Sequence, residues 1–117
     1  MNDIDIPILK KSYEVYAVFH EYRRLIPKVD RFTIYERSEN LIVGLIELFL
    51  EAGYAKSGNK GSLLEKASVK LNTLRFFIRL MKETKAIDLK KYVSFQEKID
   101  EIGRMLGGWI RSDAKPL

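Results

Sequence analysis

The sequence predicts an all-α fold: an antiparallel up-down-up-down four-helix bundle, one domain over residues 1–117. Three observations predict it. Apolar residues recur at alternating steps of three and four through four separate segments, the period of a helix face buried in a bundle. No segment alternates apolar and polar residues for long enough to make a strand. The connections between the periodic segments are short, as antiparallel neighbours require.

The first helix is expected over about 7–26. Pro7 suits a first turn, where its missing N–H is no loss, and Pro27 ends the segment. Val15, Phe19, Tyr22 and Ile26 step 4, 3, 4 and define the core face. Leu9, Tyr13, Tyr16, His20 and Arg23 form a second stripe, about 100° around the helix.

The second helix is expected over 33–53. Thr33-Ile34-Tyr35-Glu36 reads as a capping box, hydroxyl to backbone N–H and carboxylate back to the cap residue. Gly53 reads as a stop. Leu41, Leu45, Leu48 and Ala52 form one stripe, Ile42, Ile46 and Phe49 a second beside it, with Val43 and Leu50 on a third. This apolar arc is wider than the ≳ 100° that a monomer's surface helix needs.

The loop GYAKSGNKG (53–61) separates this helix from the third, expected over 62–85. Ser62-Leu63-Leu64-Glu65 reads as a second capping box. Leu64, Ala67, Leu71, Leu74, Ile78 and Met81 then step 3, 4, 3, 4, 3, with Phe76 and Leu80 off that seam. The fourth helix is expected over 89–111 with Asp88 as its cap. Its seam is Tyr92, Phe95, Ile99, Ile102, Leu106 and Trp109. Within it DEIGRMLGGWIR carries Gly103, Gly107 and Gly108, each costing about 1 kcal/mol against alanine. Gly103 and Gly107 lie four apart on a flank of the seam and read as bare backbone that a neighbouring helix approaches closely. Gly108 points elsewhere and is expected to loosen the final turn.

The excess apolar surface predicts a homo-oligomer. Its expected interface comprises Tyr13, Tyr16, His20, Ile42, Ile46, Phe49, Gly103 and Gly107.

With no cysteine among 117 residues, there is no disulfide framework and no thiolate chemistry. The N-terminus MNDIDIPILKK lacks the pattern of a secretory signal. The longest apolar run, LIVGLIELFLEA, holds two glutamates and is too short to span a bilayer. A cytoplasmic location without membrane contact is expected.

The net charge is +5 and the pI about 9.4, which suggests an acidic partner, nucleic acid being the commonest. The charge is unevenly placed. Residues 33–53 hold one base, Arg37, against four acids, whereas 60–85 hold seven bases against two acids. In the latter segment Ser68, Asn72, Arg75, Arg79 and Lys82 share a stripe beside the seam. Its arginines can contact phosphates bidentately or pair with the acidic second helix, in the same subunit or the next. A second basic cluster, Arg23, Arg24, Lys28 and Arg31, lies near Phe32, an arrangement that suits single-stranded nucleic acid.

Catalytic patterns are missing. His20 is the only histidine, so neither a bundle di-iron site nor a defensible Ser-His-Asp set exists. GNKGS lacks the phosphate-loop spacing and follows no strand. The chain is expected to be no enzyme and to carry no metal or cofactor.

The segments RFTIYERSENLIVGLIELFLEA (31–52), LNTLRFFIRLMKETKAID (71–88) and IDEIGRMLGGWIR (99–111) resemble the Avd-like four-helix bundle family. That family holds the accessory variability determinants of diversity-generating retroelements, with relatives encoded in intervening sequences of 23S ribosomal RNA genes. The resemblance covers about residues 9–111. It implies a homopentameric barrel with a basic surface that binds nucleic acid and a partner reverse transcriptase, without catalysing a reaction itself. It maps the family's basic positions onto Arg75, Arg79 and Arg104. The family pattern often has a small residue where Tyr35 stands, so the start of the second helix is expected to pack differently. The alternatives are an rRNA- or ribosome-associated bundle protein and a structural oligomer without a nucleic-acid role.

Overall fold

A computed structural model describes residues 6–56 and 58–114 of the chain. The reading of the first five residues, and Ser57 of the polar loop, lie outside them. The described residues form α1 (Pro7–Tyr22), a 3-10 turn (Arg23–Leu25), the short α2 (Lys28–Arg31), α3 (Ile34–Tyr54), α4 (Lys60–Glu83) and α5 (Leu89–Ala114). The four long helices pack as an all-helical bundle, and no strand occurs among the described residues.

Helix α1 opens at Pro7 but ends at Tyr22, short of the expected Ile26. The reason is Pro27. The residue before a proline is driven into extended backbone, and Ile26 has φ −79° and ψ 132°. The turn tightens to 3-10 before it, and Pro27 then caps α2.

Neither expected capping box forms. Thr33 has φ −121° and ψ −103° and makes no side-chain cap bond; its hydroxyl instead donates to the Val29 carbonyl at 3.3 Å, closing α2. Ser62 lies inside α4, which starts at Lys60 behind Asn59. Gly53 does not stop α3, which runs one residue further. Asp88 does cap α5: the Lys91 N–H donates to its carboxylate at 2.8 Å. That bond holds the Asp88 carboxyl below its ordinary range. Helix α5 continues through all three glycines to Ala114, so none of them ends it.

The core assembles where the seams meet. Every expected seam residue of α4, from Leu64 to Met81, is buried. So are Phe95, Ile99, Ile102 and Leu106 of α5, with Tyr92 and Trp109 half-buried at its ends. Helix α3 differs from expectation. Its buried line is Tyr35, Ser38, Ile42, Leu45, Phe49 and Ala52, which runs between the two stripes read from the sequence. Hydropathy alone does not reveal this line, because its first two members carry hydroxyls. Both hydroxyls are satisfied: Tyr35 donates to the Phe19 carbonyl at 2.7 Å, and Ser38 to Ile34 at 2.8 Å. The Tyr35 ring stacks on Phe19 with centroids 4.5 Å apart. The bulky residue at this position is therefore a central core side chain.

Two expected interface residues, Ile42 and Phe49, are thus fully buried within the chain's own core and have no surface to offer a second subunit. Leu9, placed on the outer stripe of α1, is also core.

Candidate nucleic-acid interface

The basic stripe of α4 runs along its boundary with α5. Arg75 is held there at three points. Its Nε donates to Asp100 at 3.3 Å and its Nη1 to Asn72 at 2.9 Å. Its Nη2 reaches the bare backbone of Gly103, where a Cβ would stand 2.5 Å away. Gly103 is therefore a close-approach glycine, and within this chain the approaching group is an arginine. Among the described residues, a Cβ at Gly107 would meet only Arg111 of its own helix, at 3.3 Å.

One turn along, Arg79 is exposed and makes no ion pair among the described residues. Lys82 is half-buried, 3.3 Å from Glu83 and 4.8 Å above the Tyr92 ring centroid. Arg104, on α5 one turn beyond Asp100, is exposed and likewise unpaired among the described residues. Within the chain the stripe does not pair with the acidic second helix: no ion pair among the described residues joins α3 to α4. Arg75 pairs with α5 instead. Where a charged group finds its partner depends on which helices adjoin the stripe, and linear sequence does not state that.

The second cluster gathers more closely than its spacing suggests. His20, Arg23, Arg24 and Arg31 line one cleft of about 300 Å³. Spacings of three and four put His20, Arg23 and Arg24 on one side of the helical turn, and the reversal at Ile26–Pro27 returns Arg31 to them. Arg31 donates from Nε to the Ile26 carbonyl at 2.9 Å, and Arg24 contacts Glu21. The Arg23 guanidinium lies 5.6 Å from the Phe32 ring centroid and 6.0 Å from that of Tyr35. Lys28, at the start of α2, is exposed and does not line this cleft. His20, an expected interface residue, also lines this cleft; its i, i+3, i+4 spacing to the arginines is the sequence signal for that placement.

Of the remaining expected interface residues, Tyr13 is exposed and Ile46 is half-buried against the core. Tyr16 is half-buried, its hydroxyl 3.5 Å from Glu39 and its ring stacked on His20 with centroids 6.2 Å apart. Burial, reinforced by the Glu39 charge, raises the Tyr16 phenol above its ordinary pKa. Large apolar groups also remain exposed on α4, at Val69 and Phe76.

No group of side chains suited to holding a metal ion occurs among the described residues. No helix there is long and apolar enough to cross a membrane.

These features define a class: an all-helical bundle with uncompensated arginines along one helix boundary and at one connection. The bAvd-like family model matches residues 7–113, and the chain belongs to that family. No curated protein matches the chain.

Proposed function

We propose that this chain is a non-catalytic, oligomeric nucleic-acid-binding accessory protein that acts with a retroelement reverse transcriptase in cDNA synthesis. Membership of the bAvd-like family supports the setting. The observation that carries the binding role is that Arg79 and Arg104 stand exposed and, among the described residues, unpaired beside the α4–α5 boundary, while the acids of α3 leave them uncompensated. Phosphates complement such guanidiniums.

On this reading the four helices alternate in direction. Neighbouring pairs whose numbering runs in opposite senses support it: Lys11 with Glu101 and Phe19 with Phe95, then Arg75 with Asp100 and Lys82 with Tyr92. Five copies form a barrel, and the apolar groups left exposed at Tyr13, Val69 and Phe76 are those that subunit packing would cover. The complex works in the cytoplasm without membrane contact.

The test is binding of a labelled RNA or DNA strand across a salt series, with mass measured by light scattering. Five 13.6-kDa chains weigh about 68 kDa. Affinity is expected to fall at least about 10³-fold between roughly 50 and 200 mM salt. Replacing Arg79 and Arg104 with alanine lowers the salt slope by about one for each phosphate that the protein no longer neutralises. Absence of binding at low salt refutes the role.

A further inference from the structure

We propose that the cleft at the first connection selects unpaired nucleotides, taking a backbone phosphate among Arg23, Arg24 and Arg31 while Phe32 stacks on the adjoining base. This deepens the nucleic-acid reading and rests on it.

The first argument is charge in a formed recess. Three guanidiniums and one imidazole line the cleft. Residues 20–32 hold four bases against two acids, and among the described residues only Glu21 makes an ion pair there, with Arg24. Converging cations of this kind fit a phosphodiester.

The second argument is preorganisation. Arg31 is anchored through Nε to the Ile26 carbonyl and through Nη2 to the Arg24 carbonyl at 3.5 Å. Neither bond uses Nη1, whose two N–H groups can donate to a phosphate. Arg23 is within cation–π range of two rings. One of these, Tyr35, is fully buried and stacked on Phe19. The rigid core thereby steadies Arg23, and Arg23 lies against Phe32.

The third argument is the ring itself. Phe32 is 69% exposed although it contacts a cation, so most of it is open to a planar partner. A base inside a duplex is stacked on its neighbours and inaccessible, whereas an unpaired base can lie on an aromatic side chain. Cationic groups beside an open ring are the elements of single-strand recognition.

The full-length chain is titrated with a labelled single-stranded RNA and with the same sequence in a duplex, at low salt. Tighter binding of the single strand is expected. Phe32→Ala weakens the single strand about tenfold and leaves duplex affinity unchanged, while Phe32→Tyr keeps the preference. Phe32 is a surface side chain, and circular dichroism verifies that each variant is folded. Equal affinity for both forms, or a Phe32→Ala effect that is nil or equal on both, overturns the inference while leaving the broader binding role standing. Failure to bind either form overturns both.

Discussion

The guanidinium of Arg75 lies across the bare backbone of Gly103, so close that one added methyl group would displace it. The atom in the way is the tip of a flexible side chain. Gly103→Ala therefore breaks the pairing of Arg75 with Asp100, a partly exposed ion pair worth at most about 1 kcal/mol. It also gains about 1 kcal/mol of helix propensity. The net change in unfolding free energy is expected to stay within about 1 kcal/mol. Chemical denaturation of the variant checks this. A loss above about 2 kcal/mol would mean that a rigid group, such as a second subunit's backbone, also meets this glycine.

Ile42 and Phe49 belong to the chain's own core, and that makes their removal a folding defect. Ile42→Ala is expected to cost about 2–5 kcal/mol and Phe49→Ala about 3–5 kcal/mol. Tyr13→Ala, at an exposed position, should change the stability of the single chain by no more than about 0.5 kcal/mol. Urea unfolding separates the two classes. A Phe49→Ala variant with native stability and only a lowered assembly mass would return Phe49 to an interface.

The same residues show how far the sequence was legible. The buried seam of α4 could be read in full, though not where the helix starts, because that seam is purely aliphatic with a methionine, so hydropathy and burial coincide. Helix α3 could not, because its apolar residues cover more than one face and its core line begins with Tyr35 and Ser38. Their hydroxyls find backbone carbonyls, one of them on another helix. The first capping box failed for a related reason: Thr33 had a competing acceptor at Val29 that spacing cannot reveal; the second failed because α4 begins at Lys60, ahead of Ser62. Gly103 was legible as a place of close approach, but its partner, Arg75, comes from another helix. At the first connection the basic residues were legible as a cluster. The cleft they share required the reversal at Pro27.

The end of α4 shows how Lys85 can be improved. Lys85 has φ 63°, the left-handed region that favours glycine. It sits there because the chain closes a Schellman motif: Ala86 N–H bonds to the Met81 carbonyl at 2.8 Å and Lys85 N–H to Lys82 at 3.0 Å. A side chain in this conformation costs about 1–2 kcal/mol. Glycine regains part of that, offset by its greater freedom in the unfolded chain. Lys85→Gly is expected to stabilise the protein by about 0.5–1 kcal/mol, and Lys85→Val to destabilise it. Thermal unfolding midpoints of the two variants, moving in opposite directions, check the assignment.

Tyr35 couples the stability of the fold to alkaline pH. Burial, reinforced by the Glu39 charge, pushes its phenol far above the ordinary value. Tyr16 and Tyr22 are raised as well, chiefly by burial. In the unfolded chain a tyrosine loses its proton near pH 10; in the folded chain Tyr35 keeps it. The folded state then binds more protons than the unfolded state, so stability falls as pH rises. The contribution of Tyr35 is complete below about pH 10 and is lost from there upward, until the folded group itself ionises. The slope is about 1.4 kcal/mol per pH unit for each tyrosine so held. Tyr35→Phe removes one such slope. It also removes the buried hydrogen bond to Phe19, worth about 1 kcal/mol. The variant is therefore expected to be less stable than the parent at about pH 8. Denaturant titrations at about pH 8 and about pH 11, on either side of the free tyrosine pKa, should show the difference shrinking, then reversing, as pH rises. Parallel pH profiles for the two proteins would mean that the Tyr35 hydroxyl reaches solvent.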